Sequence, residues 1–313
     1  MVFRNIQARF PVYTSGKIKF EEELFMRITG MIILMAVAAI SLIPDSAAAQ
    51  KLQTPAPSPK STLTQAVGVM EVTVSYSRPG IKGREIFGGL VPYDELWRTG
   101  ANMSTTLKFT DDVTLNGNPV PAGEYALFTI PGTSAWEIII SKDIGPGTSN
   151  YKKEDDLTRF TVEAKDLTEP VERFTITVAN VTDNSADIVL EWDRTAVSFK
   201  METDTDGQVM KQINEIMKDP PADDAGVYGA AARYYFDNKK DLNKALEWIN
   251  KSLELKGDAY WNTRLKSQIQ AGLGDYAGAI ATAREGMKQA EAAGNQQYVK
   301  FNQEAIAEWE KMK

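Results

Sequence analysis

Two hydrophobic periods share this chain, and one gives way to the other near residue 204. Val72, Val74 and Tyr76 alternate with Thr73 and Ser75, Phe174, Ile176 and Val178 alternate with threonines, and Ile188, Leu190 and Trp192 follow the same rule. Period-two alternation in β-branched and aromatic residues marks strands with one buried face. Beyond it, Val209, Ile213 and Ile216 fall at helical spacing, with Asp206 as the predicted N-cap and Pro220-Pro221 as the stop. From Asp223 onward alanine and lysine rise and β-branched residues thin out, as helices prefer. Neither one sheet nor one helical bundle can accommodate both patterns. The expectation is a β-rich domain over 62–203, an antiparallel sandwich or barrel, followed by an all-α region over 204–313. At about 100–200 residues per domain, 313 residues hold these two units and a tail.

Turn chemistry supports the division. Asn116-Gly117 separates Val113-Leu115 from Asn118-Val120, and both turn residues tolerate the positive φ of a type I′ hairpin. Gly123 to Pro131 and Ser134 to Ser141 read as a second hairpin joined near Pro131-Gly132. In the helical region Asp241-Leu242 and Ala245-Leu246 recur 34 residues later as Asp275-Tyr276 and Ala279-Ile280. That period, with GDYAGAI over Gly274 to Ile280 and a looser KDLNKAL over Lys240 to Leu246, resembles the tetratricopeptide repeat. The first-helix tryptophan and glycine and the closing proline of that repeat are missing. Two repeats and a final helix, Asn295 to Lys311, fit the space, and a plain array of helical hairpins is the alternative. The resemblance implies a protein partner. Trp248, Trp261 and Trp309 are expected to be packing residues.

The N-terminus carries an export pattern. Met26-Arg27 precede the uncharged run ITGMIILMAVAAISLIP, and Ala47 and Ala49 fit an A-x-A cleavage site. The expectation is a misassigned upstream segment over 1–25, a signal peptide over 26–49, and a periplasmic or secreted protein. The rival is an uncleaved membrane anchor, for which the run falls slightly short of the roughly 20 residues of a spanning helix. A linker over 50–61 contains Pro55, Pro57 and Pro59, which exclude a helix or central strand.

Composition narrows the chemistry. The chain has no cysteine and no histidine, which removes disulfides, thiolate nucleophiles, Ser-His-Asp catalysis and His-based metal sites. Its net charge of −7 argues against nucleic-acid binding. No glycine-rich nucleotide motif is present, so no cofactor is expected. Asp204-Thr205-Asp206-Gly207 opens like a calcium loop, but its glycine comes too early and Ile213 stands among the later positions, so it reads as a helix cap rather than a metal site.

The densest polar cluster lies in loops of the β domain. It combines Arg78, Lys82, Arg84 and Arg98 with Tyr93, Trp97, Thr99 and Asn102. These eight are the candidate ligand-binding residues. Guanidinium forks suit a carboxylate or phosphate, and aromatic faces with amide and hydroxyl suit a sugar. The structural alternative is that the arginines tie long loops to backbone carbonyls. The segments SRPGIKGREIFGGLVPYDELWRTGAN and PAGEYALFTIPG resemble a family catalogued as a domain of unknown function, family twenty-nine eleven, over about residues 58–200. The resemblance implies a compact β-rich domain behind a signal peptide, sometimes followed by tetratricopeptide-like helices, and implies no activity. After Asn102 this chain has Met103-Ser104-Thr105 where the family leads one to expect an acidic residue and then Ala-Thr.

Two functional classes follow. The preferred one is a non-catalytic exported binding or scaffold protein, its β domain holding a small polar or anionic ligand (sugar, phosphate or carboxylate) and its helices engaging a protein. The alternative is a carboxylate-based glycan hydrolase drawing on Glu71, Glu85, Asp94, Glu95 or Glu124, which needs two carboxylates in one cleft.

Overall fold

The computed structural model describes residues 54–313. The upstream segment, the signal peptide and the first linker residues lie outside the described residues. The strands are β1 (Lys60–Val67), β2 (Met70–Ser77), β3 (Thr105–Phe109), β4 (Val113–Leu115), β5 (Asn118–Val120), β6 (Gly123–Pro131), β7 (Ala135–Ser141), β8 (Asp156–Ala179) and β9 (Ser185–Thr203). They form one antiparallel order, β1-β2-β3-β6-β7-β8-β9-β4-β5. The β4–β5 turn carries positive φ at Asn116 and Gly117, as a type I′ hairpin requires.

β8 makes one order into two facing layers. Its first part pairs with β7, and from Ala164 it pairs with β9. The β8–β9 register shifts between Asp166 and Val171, where Pro170 can donate no ladder hydrogen bond, and again before Thr175. Irregularities of this kind bend and twist a strand. Beyond the bend, Phe174 and Ile176 face β2. Tyr76 Oη donates to the Ile176 carbonyl at 3.2 Å and accepts from its amide at 3.0 Å. A single bridge, Gly80 to Arg173, joins the extension of β2 to β8 and closes one corner. The fold is thus a sandwich with a barrel-like corner. Its core is aromatic: the Trp97 ring stacks on Trp192 at 5.8 Å and meets Trp136, Phe174 and Phe87 edge-on.

Six helices follow among the described residues: α1 (Thr205–Ile216), α2 (Ala225–Asp237), α3 (Leu242–Leu255), α4 (Tyr260–Gly272), α5 (Tyr276–Ala292) and α6 (Gln296–Trp309). The chain is therefore a β domain followed by an all-α domain. The N-cap of α1 is Asp204, not Asp206: Asp204 Oδ1 accepts from the Gly207 amide at 2.9 Å. Asp206 instead sits in the first turn, where it accepts from the Tyr234 hydroxyl at 2.7 Å and pairs with Lys240 at 2.8 Å. Asp224, Asp241, Asp275 and Asn295 cap α2, α3, α5 and α6 in the same manner. Ala245 and Ala279 are both fully buried. Trp248 and Trp309 are buried, but Trp261 is 39% exposed with the Lys256 ammonium over its ring. Its place at the start of α4, beside Tyr260, turns it outward.

Candidate functional site

The loop after β2 is held mainly by backbone. Pro79 to Ile81 bond to Glu172 and Phe174 on β8, and Asp94 and Trp97 bond to Pro131 and Thr129 on β6. Trp97 thus extends the sheet beside β6 and turns its indole into the core, where Nε1 donates to the Gly100 carbonyl at 3.1 Å. The next residues are strained. Thr99 has φ 54° although β-branched, and Asn102 has φ 62°. Thr99 is fully buried, its hydroxyl donates to Thr129 Oγ1 at 3.1 Å, and its carbonyl accepts from the Thr105 hydroxyl. Gly100 is required for close approach, because a Cβ there would lie 3.1 Å from the Ser77 carbonyl. Strain of this kind persists only where its surroundings over-determine it.

The residues that follow this strained segment, Met103 and Ser104, form one wall of a cleft of about 320 Å³, near the lower end of small-molecule pockets, ~300–1,000 Å³. Hydroxyls of Ser75, Ser77, Ser104 and Thr106 line it, with Met103 and Ile144 as exposed apolar walls and Lys60 and Glu124 as its charges. Ser75 and Thr106 stand opposite each other on β2 and β3. Ser104 Oγ donates to the Gly145 carbonyl at 2.8 Å and accepts from the Gly147 amide at 3.0 Å, pinning the far wall.

The eight sequence candidates separate into three groups. Arg98 and Asn102 come together beside the lining residue Ser77: Arg98 Nη1 donates to the Asn102 carbonyl at 2.9 Å, and Asn102 Nδ2 donates to Ser77 Oγ at 3.2 Å. Trp97 and Thr99 lie beneath, in the interior. Arg78, Lys82 and Arg84 belong to the Gly80–Arg173 corner. There Arg78 Nε donates to the Phe174 carbonyl and Arg84 Nη2 to the Gly80 carbonyl at 2.6 Å. Tyr93 is exposed beside Gly88. Arg98 is thus anchored at Asn102 and Arg78 and Arg84 at the corner, and each arginine holds a backbone carbonyl.

Sequence reading named none of Ser75, Ser104 and Thr106 as a ligand residue. The available signal was outward alternation of hydroxyls on neighbouring strands, which means little until the β2–β3 register is known. It also missed an ionic cluster on β7 and β8. Arg159 bonds Asp156 at 2.6 Å and Glu137 at 3.0 Å, and Tyr151 donates to Asp156 at 2.7 Å. Burial first, and then the Asp156 carboxylate, push the Tyr151 phenol up to about 12. The Tyr151 ring also packs on Phe128, so the cluster straps the 142–155 connection to the sheet.

Glu124 is the one carboxylate among the lining residues, so the cleft lacks the pair a glycosidase uses. Among the described residues no group of three metal-ligating side chains occurs.

The profile of a family described as "Protein of unknown function (DUF2911)" matches residues 58–201. No curated protein matches the chain. Among solved structures, the solution structure of protein BPP2914 from Bordetella parapertussis is 18% identical, covering 33% of this chain and 88% of that one at a TM-score of 0.30.

Proposed function

Residues 58–201 belong to this family of unknown function, and from that premise we propose that the chain is an exported, non-catalytic binding protein whose β domain holds a small neutral polyhydroxylated ligand, a sugar, in the cleft between β2, β3 and the Met103-Ser104 wall. The observation that carries this reading is the lining itself: four hydroxyls and two exposed apolar side chains, with one cation and one anion that offset each other. Ser104 Oγ already donates to Gly145 and accepts from Gly147, Ser77 Oγ accepts from Asn102, and Ser75 Oγ meets Thr62. A hydroxyl keeps a second acceptor position, and Thr106 Oγ1 has no protein partner among the described residues. Met103 and Ile144 suit the C–H face of a ring. An anion in this cleft is disfavoured, because Lys60, the one cation among the lining residues, is matched by the carboxylate of Glu124.

Isothermal titration with a panel of mono- and disaccharides tests it. Thr106→Val keeps the shape and removes the hydroxyl, so binding should weaken roughly three- to tenfold, the worth of one hydrogen bond at ~0.5–1.5 kcal/mol. No heat of binding from any sugar would sink the reading.

The helices supply a protein-facing surface. Tyr260, Trp261, Tyr298 and Phe301 meet edge-on in sequence, and Arg264 lies over Phe301 at 5.2 Å. Aromatic residues and arginine are the side chains that dominate interface energetics. Export accompanies this reading: protein recovered from its native host should begin near Gln50, which N-terminal sequencing checks.

A further inference from the structure

We propose a second site, distinct from the hydroxyl-lined cleft: the corner where the β2 extension meets β8 binds a phosphate group. The bridge between Gly80 and Arg173 brings Arg173 to the turn that carries Arg78, Lys82 and Arg84. Arg173 Nη1 donates to the Arg78 carbonyl at 3.3 Å, and Arg78 Nη2 donates to Thr175 Oγ1 at 2.6 Å. Arg84 folds back on the Gly80 and Ile81 carbonyls. Two acidic residues, Glu85 and Glu172, share the corner with these four cations. Glu172 is engaged by backbone, its Oε1 accepting from the Lys82 amide at 3.2 Å. None of the four cations forms an ion pair among the described residues.

This arrangement is unusual in a chain of net charge −7. Carbonyl contacts fix three guanidinium groups without neutralising them. Nη1 of Arg78 and of Arg84, Nε and Nη2 of Arg173 and Nζ of Lys82 donate to no protein acceptor among the described residues, and none is sealed from solvent without a partner. Guanidinium held in place with donors to spare is suited to a tetrahedral oxyanion, whose several oxygens accept from different forks at once. A lone carboxylate sets its two oxygens in one plane with the carbon, whereas phosphate oxygens point tetrahedrally. Phosphate is therefore the chemistry that fits, either as a free phosphate group or as a lipid headgroup.

The test titrates the protein with pyrophosphate, and separately with phosphatidylglycerol vesicles against phosphatidylcholine vesicles, at low salt and at physiological ionic strength. Binding is expected in at least one arm and should weaken as salt rises. Lys82→Asn removes a charge that makes no protein contact while tolerating the φ of 50° at that position. Arg173→Gln removes a fork. Each should weaken binding roughly tenfold, as loss of a charge-assisted contact does, with no change in the thermal midpoint for Lys82→Asn. Binding of pyrophosphate would identify a free phosphate, and binding of phosphatidylglycerol alone a headgroup. Absence of binding in both arms, or binding untouched by both substitutions, would overturn the proposal. Thr106→Val should leave this binding intact, so failure here and failure of the sugar cleft are separable.

Discussion

Thr99 shows how far a residue's role depends on neighbours remote in the chain. Within Trp97-Arg98-Thr99-Gly100 it reads as a loop hydroxyl free to touch a ligand. Its burial depends on Thr129, thirty residues on, and on the Thr105 hydroxyl that caps its carbonyl. Thr99→Val keeps the volume but leaves Thr129 unpartnered in the core, so chemical denaturation should show a loss of about 1–3 kcal/mol. An unchanged stability would mean that the strained backbone is held by something else. Arg98 and Asn102 were legible as neighbours because only three residues, one of them a glycine, separate them. Arg78 and Arg84 were legible as cations and, in the structural alternative, as braces on backbone carbonyls; which carbonyls they hold was not legible, since the bridge to Arg173 spans about ninety positions. Tyr151 gives a residue-scale pH prediction. Its folded pKa is raised, from the ordinary 10.0 to about 12, so the folded state favours the neutral phenol. The stabilisation is fully present below pH 10 and is lost as pH climbs through about 12. Tyr151→Phe, with no proton to lose, should therefore show a smaller fall in denaturation midpoint between pH 9 and pH 11.5 than the natural protein. Tyr234, also raised to about 12 by burial and then by Asp206, keeps part of that slope in the variant. Equal slopes in the two proteins would remove the Tyr151–Asp156 bond from the account.

At the scale of elements, period carried most of what could be read. Alternation located the long strands, Asn116-Gly117 located a hairpin, and the 34-residue offset located two alanines that are both fully buried. Ala279 lies at the start of α5, in the contact with α4, and its cluster contains Ile280, Ala283 and Trp309. Ala279→Leu forces extra methylenes into that contact and should lower stability by about 1–3 kcal/mol, measured as a drop in thermal midpoint. Full tolerance of leucine there would show that the helices are not packed at that alanine. Other element-scale features were not legible for definite reasons. The α1 cap went to Asp204 because two aspartates two residues apart both suit a helix start, and only the amide of Gly207 decides between them. The length of β8 was hidden by Pro170, which reads as a strand end but lies where the ladder is already interrupted. Trp261 was expected to be a core or packing residue with Trp248 and Trp309, yet the first turn of α4 leaves it 39% exposed.

The whole molecule depends on a junction that local sequence does not announce. β9 ends at Thr203 and α1 begins at Thr205, so the two domains share a continuous backbone with one intervening residue. Three connections meet there. The Thr205 hydroxyl donates to the Asp183 carbonyl in the β8–β9 turn, Gln208 Nε2 donates to Thr203 Oγ1 at 2.8 Å, and the Thr203 backbone amide donates to the Asn184 carbonyl at 2.9 Å. Gly68, in the β1–β2 turn, completes the set. Its φ is +60°, and a Cβ there would overlap both Thr205 Oγ1 and the Asp183 carbonyl. Alanine at this position meets two separate penalties. The left-handed backbone costs a non-glycine residue on the order of 1–3 kcal/mol, and the overlap forces either the start of α1 or the Asp183 turn to move. Gly68→Ala should therefore be more destabilising than the backbone penalty alone. Thr205→Ala removes one of the two overlapping groups, so the double variant should recover part of the loss. A coupling of more than about 0.5 kcal/mol between the substitutions, read from urea unfolding of the four proteins, is the expected result. Strict additivity would place the β1–β2 turn out of contact with the first helix, and the joint between sheet and helices would then rest on the β9–α1 backbone and the Asp183 and Asn184 contacts alone.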